Sequence, residues 1–355
     1  MKKILGFTLF VAAALWPLAC GKNLAPTAAG PVTVAQAPPA GSPTPTATLA
    51  PEVGSAWFKV TSAAPFPGRG GQSACVFNNR MWVIGGGSNA TSGLLNDSWS
   101  TLDGVDWISA TTNAAFTPRI FHASAVFNTR LWVSGGSTAG LSSIGVVPPL
   151  ADLWYSYDGA AWIQAAVTAA FGAREGHSLV AFNNLFWMIA GSTNDVSGFS
   201  DVWSSPDGVT WNQVTAEAPF LGRTAQSALV YNNRMWVIGG NDTRPRDGGG
   251  LNDVWYSPDG VNWTEATAHA AFSPRAGHAS LVYDNQMWVI GGVNLSGNPL
   301  SDAWYSSDGV HWTQATPSAG FGTRGFLSSL SFNGEMWVLC GLNGSSVLDD
   351  IWQSP

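Results

Sequence analysis

Residues 251–267, LNDVWYSPDGVNWTEAT, place apolar and aromatic positions in two short runs on either side of an Asp-Gly pair. That pattern predicts a strand, a tight turn and a second strand. Nearly the same line stands at 95–111, 150–166, 199–215 and 300–316. Ahead of each copy come two more apolar runs, as in GHASLVYD and MWVIGG between residues 277 and 292, with Asn-Asn or Asp-Asn as the typical hairpin turn. Each unit therefore predicts four antiparallel strands, termed a, b, c and d.

A sixth copy opens at LDDIWQSP and stops there, and its second half stands at the other end of the sequence. GSAW, residues 54–57, fits the second part of the motif, and Trp57 lies 12 residues before Arg69, the step that separates Trp107 from Arg119 and every later pair. Six units are anchored at Arg69, Arg119, Arg174, Arg223, Arg275 and Arg324, with spacings of 50, 55, 49, 52 and 49. The arrangement predicts a ring whose last unit is completed by the N-terminal strand AWFKVT, which protects edges that an open array would expose.

The residues PR-x-GHS…MWVIGG…DVWYS…W resemble the kelch repeat over roughly 56–355. The resemblance implies an all-β, six-bladed kelch-like β-propeller with four antiparallel strands per blade. Galactose-oxidase-like propellers and bacterial N-acetylneuraminate epimerases share that architecture, and the turn S-x-D-G-x-x-W resembles the Asp-box of sialidase propellers. These likenesses speak for fold more than for activity. They leave a carbohydrate-active enzyme (epimerase-like, galactose-oxidase-like or sialidase-like) as the alternative to a non-enzymatic binding module. The oxidase chemistry would need a Tyr–Cys cross-link and His ligands, and neither Cys75 nor Cys340 falls on a rim loop. No cofactor is implied.

Composition adds an address. Residues 1–20, MKKILGFTLFVAAALWPLAC, have two lysines, an apolar stretch and a small residue before Cys20, the pattern of a secretory signal. Its end resembles a bacterial lipoprotein cleavage site with Cys20 as the lipidated residue, although Pro17 stands where that family usually has Leu. Residues 21–53 are rich in Pro, Ala and Thr and predict a disordered tether, leaving 54–355 for the propeller. The expected location is the bacterial cell envelope: anchored by lipid to the outer membrane or cell surface, or periplasmic, as a monomer. A net charge of −7 without a basic run excludes nucleic acid as the natural partner.

Where a ligand would bind follows from what varies. Arg to first Trp is always 13 residues and second to third Trp always 8, whereas first to second Trp runs 17, 22, 16, 19, 16 and 15. All length variation falls in the b–c loops, which share one face with the d–a loops, so a protein or glycan ligand is expected there. In unit 4, NDTRPRDGGG offers Asp242, Arg244, Arg246 and Asp247, with guanidinium groups suited to carboxylates. In unit 2, STAGLSSIGVVPPL offers the apolar Ile144 and Val146. Arg174 and Glu175 are candidates at the mouth of the channel. The plainer explanation of the unit 4 loop is a solvated, internally paired segment.

The repeat arginines face Asp97, Asp152, Asp201, Asp253, Asp302 and Asp350, which predicts structural ion pairs. His122, His177 and His278 share a slot with Gln72, Gln226 and Leu327, which favours hydrogen bonding inside a blade over metal ligation. No metal site is expected. Cys75 and Cys340 read as buried small residues, in neighbouring units where a disulfide across the closure is allowed.

Overall fold

A computed structural model describes residues 53–89, 93–140, 147–193, 198–242 and 249–355. Among them every regular element is a strand and none is a helix. Unit 1 shows the plan: strand a Ser73–Phe77, b Arg80–Ser88, c Gly93–Thr101 and d Ile108–Thr111, paired antiparallel in that order. Strand a lies innermost, touching strand a of both neighbouring units.

The expectation of six equal four-stranded blades needs correction. Five sheets have four strands, while the remaining unit belongs to a seven-stranded sheet. There, Ser227–Tyr231, Arg234–Asp242, Gly250–Ser257 and Thr264–Thr267 are joined by the two-residue strands Arg223–Thr224, Arg275–Ala276 and Val293–Asn294. The cause is local. Elsewhere the residues around the repeat arginine make isolated bridges, such as Gly70 with Gly87 and Ile120 with Ser137; around unit 4 the same contacts lengthen into short ladders.

The last sheet closes the ring. Phe58–Thr61 pairs antiparallel with Ser346–Ser354, Phe58 opposite Gln353 and Lys59 opposite Trp352, so the N-terminal strand is strand d of unit 6. The split c–d turn is rebuilt from both ends: Gly54 N–H donates to Ser354 Oγ at 3.2 Å, as Gly260 N–H donates to Ser257 Oγ at 2.8 Å in the unbroken turn of unit 4.

Hydrophobic cores lie between neighbouring sheets. One joins units 1 and 2 through Trp82, Ile84, Phe116, Leu131, Val133 and Trp162, all buried. The aromatic spacing of the sequence is the spacing of this packing: the third Trp of each unit stands edge-on to a Phe three residues before the repeat Arg, as Trp162 does to Phe116 at 5.0 Å. The c–d turn glycine of each unit sits against the strand b Trp of the preceding one. At Gly260 (φ +75°) an added Cβ would run into the Trp187 ring. The turn aspartates accept main-chain bonds; Asp103 takes the amides of Val105 and Asp106 at 2.9 Å each. Those bonds, from Asp106 first and Val105 second, hold its carboxyl below the usual carboxylate range.

Candidate functional site at the mouth of the central channel

Each repeat Arg rivets two units together. Its main chain bonds to the unit before it: Arg119 N–H donates to Leu95 O at 3.1 Å, and Arg119 O accepts from Gly86 N–H at 3.0 Å. Its side chain bonds to the unit it opens. Arg119 reaches both oxygens of Asp152 at 2.7 Å and the carbonyl of Gly135 at 2.8 Å, over the ring of Phe116 at 5.3 Å. The indole of Trp154 donates to Asp152 Oδ2 at 2.7 Å. All six arginines pair with their aspartates in this way and are essentially without solvent exposure. A guanidinium in that cage has little left for a ligand.

This placement includes Arg174. It is 1% exposed, bonded to Asp201 at 2.8 and 3.1 Å, to Ala190 O at 2.9 Å and to Phe171 O, with the Phe199 ring 4.4 Å away. Glu175 is also buried, and its main chain pairs with Ser192 in both directions at 2.9 Å. Asp242 is buried at the end of strand b of unit 4, opposite Arg223 in the ladder. Arg174 and Glu175, the two residues before Gly176, are thus both buried, and Asp242 stands on the unit 4 hairpin. Arg244, Arg246, Asp247, Ile144, Val146 and Cys20 lie outside the described residues.

Two residues beyond each Arg the main chain forms a closed circle. Phe121 N–H donates to Gly71 O, Gly176 to Phe121, Ala225 to Gly176, Gly277 to Ala225, Phe326 to Gly277 and Gly71 to Phe326, at 2.7–3.0 Å. Six head-to-tail bonds in a ring polarise one another in one sense. One residue further along is a collar of Gln72, His122, His177, Gln226, His278 and Leu327, buried to at least nine-tenths. The five polar members bond to the preceding unit, which corrects the expectation of bonds inside a blade. His122 and His278 meet Ser73 and Ser227 at 2.8 Å, His177 meets Ser134 at 3.2 Å, and Gln72 and Gln226 donate to Leu339 O and Ile189 O at 3.2 and 3.1 Å. Burial first, and the neighbouring repeat arginine second, push the three histidines down to about 3.

Ring and collar line an axial well of about 120 Å³, and a second cavity of about 190 Å³ below it is lined largely by strand a serines. Among the described residues no three His, Cys, Asp or Glu gather as a metal site. Cys75 and Cys340 are free thiols, so they do not form a disulfide across the closure; burial pushes the Cys340 thiol up to about 12.

A closed ring of antiparallel sheets defines a β-propeller, and comparison with known proteins fixes the kind. The KLHDC2/KLHL20/DRC7 Kelch-repeats domain matches residues 53–240 and again 176–354, and the chain belongs to the Kelch-repeat family. A solved structure titled "Structure of YjhT" is similar at a TM-score of 0.67 and 14% identity, over 82% of this chain and 96% of that one. At that identity it shows the fold alone. No curated protein matches.

The sequence reading passed over Phe121 and Phe326. Their signal was present: the slot two after the repeat Arg holds Gly71, Gly176, Ala225 and Gly277 in the other units.

Proposed function

We propose that this Kelch-repeat propeller is an exported, lipid-anchored monomer, held through Cys20 on the tether of residues 21–53, that binds a protein or glycan ligand through its b–c/d–a face. One observation supports the reading most. The charged groups common to every unit are consumed in buried Arg–Asp cages, so what distinguishes one unit from another at that end is its b–c loop. The unit 4 loop with Arg244 and Arg246, and the unit 2 loop with Ile144 and Val146, are then the contact residues. Metabolic labelling with an alkynyl fatty acid tests the anchor: label is expected on the full chain and absent from Cys20→Ser. Photo-cross-linking from positions 244 and 144 in intact envelopes, beside a glycan array, tests the face. A specific adduct or glycan signal, reduced at least tenfold by Arg244→Ala/Arg246→Ala, is the expected outcome. Adducts only from positions on the c–d turns would refute it.

A further inference from the structure

The six ring residues all have left-handed backbone, with φ between 51° and 63°. Glycine adopts that conformation freely, and a bulky side chain does so under strain. Units 1, 3 and 5 use glycine, so the ring itself needs nothing larger. Units 2 and 6 nevertheless hold Phe121 and Phe326 there, half-buried, with ring centroids 5.1 Å apart at 52°. Phe121 leans over Gly71 and Phe326 over Gly277, where a Cβ would come within 2.8 and 2.7 Å of the aromatic carbons. Strain kept at two slots, where the same fold accepts glycine at three, marks a local demand. The result is an aromatic shelf on one side of the mouth, facing the small residues Gly176 and Ala225.

Beneath the shelf the well is polar and uncharged. The repeat arginines are caged by their aspartates, and the collar histidines are neutral at pH 7. Hydrogen-bonding capacity remains on the collar: Gln72 Oε1, Gln226 Oε1 and Nδ1 of His177 and His278 are buried with no partner among the described residues, while the Ser280 and Ser329 hydroxyls belong to the second cavity. The upper cavity's 120 Å³ is several times the space that one water needs. An apolar face to stack on, donors and acceptors without charge, and that volume describe one ligand chemistry.

We propose that the axial well binds one uncharged polyhydroxylated small molecule, a polyol or a free sugar ring. Its C–H face packs on Phe121 and Phe326, and its hydroxyls bond to the Gln72, His177, Gln226 and His278 collar. The proposal deepens the binding reading above, resting on it only in taking this end as the ligand face. A carboxylate on the ligand would be desolvated there without a free counter-charge, so charged sugars are rejected.

Saturation-transfer NMR and calorimetry on the full chain test this with glycerol, myo-inositol and D-glucose, and with D-glucuronate as the charged counterpart. Saturable binding of at least one neutral compound is expected, with D-glucuronate at least tenfold weaker than D-glucose. Phe121→Gly/Phe326→Gly should weaken binding at least tenfold and still fold, since three units carry glycine at that slot. Gln226→Leu should do likewise, since Leu327 fills the collar slot in unit 6. No saturation by any neutral compound would mean that the well holds water only and would overturn the proposal. So would unchanged affinity in the double glycine variant. A cross-linked partner that depends on Arg244 and Arg246, with no sugar binding, would remove this site and leave the loop-face reading standing.

Discussion

Units 4 and 6 are built from the same four strands in the same order, yet they are joined differently. In unit 4 the outer strand follows from strand c through the turn SPDG, where Ser257 and Asp259 hold the chain; bonds from Asn262, Val261 and Ser257 outweigh the cost of burial and take the Asp259 carboxyl down to about 2. In unit 6 strands c and d come from opposite ends of the described chain, and what continuity supplies elsewhere is supplied by contacts. Gly54 bonds to Ser354, Trp57 Nε1–H donates to Gly54 O at 3.0 Å, and Trp57 packs edge-on to Phe321 at 5.0 Å. Lys59 adds what no other strand d has: it lies 3.8 Å from Asp350 and 4.8 Å from the centre of the Trp352 ring. The lesson is that the closure is an ordinary c–d pairing whose chain connection is replaced by side-chain contacts.

The strongest way to break this comparison is to remove residues 54–61. Loss of Trp57 alone removes a buried indole, a change that costs about 3–5 kcal/mol in protein cores. With the strand pairing gone as well, the melting temperature is expected to fall by ~10 °C or more, if the protein still folds. Calorimetry on the truncated chain checks it, and an unchanged melting temperature would show that unit 6 does not need strand d. The next largest effect separates the units by their cages. Arg223→Ala leaves Asp253 buried without its cation and should cost about 3–5 kcal/mol. Arg324→Ala leaves Asp350 with Lys59 still beside it, so the loss should be smaller. Denaturant unfolding of both variants decides; equal losses would mean that Lys59 does not compensate.

Much of this was legible in the sequence because the repeat states it six times. Constant Arg–Trp and Trp–Trp steps gave the strands, the turn and the completion of unit 6 by Trp57, since each step is a fixed length of ladder or hairpin. Two things were not legible. That the collar histidines bond backwards to Ser73, Ser134 and Ser227 depends on the rotation between neighbouring sheets, which no spacing encodes. The merging of unit 4 into a seven-stranded sheet depends on small differences in how Arg223 and Arg275 approach their neighbours. Arg174 stands in the repeat slot, and its pairing with Asp201 follows the ion pairs that the spacing predicts, whereas Phe121 and Phe326 show as departures from a slot that holds small residues in the other four units.

A smaller effect appears only in acid. His278 is 6% exposed and titrates at about 3 in the folded protein, against an ordinary value near 6.5. Between those values the unfolded chain binds a proton that the folded chain refuses, so stability falls as pH drops through that window. Gln72 and Gln226 fill the same slot without titrating. His278→Gln should therefore be near neutral at pH 7 and more stable than the parent by about 3 kcal/mol at pH 4.5. Paired unfolding curves at the two pH values test it, and a variant that tracks the parent would mean that His278 is protonated in the fold.

The smallest expected effect sharpens the closure argument most. Lys59 is half-exposed, so its ion pair with Asp350 and its contact with Trp352 are worth about 0.5–1 kcal/mol together. Units 2, 3 and 5 carry Gln164, Gln213 and Gln314 at that position and hold strand d through their turns. Lys59→Gln should lower stability by that amount in the parent. In the Arg324→Ala background it should cost more, because Asp350 then loses its last cation. The double-mutant cycle reads the coupling directly. A coupling of zero would assign the closure wholly to Trp57 and the strand ladder, with Lys59 as a bystander on the rim.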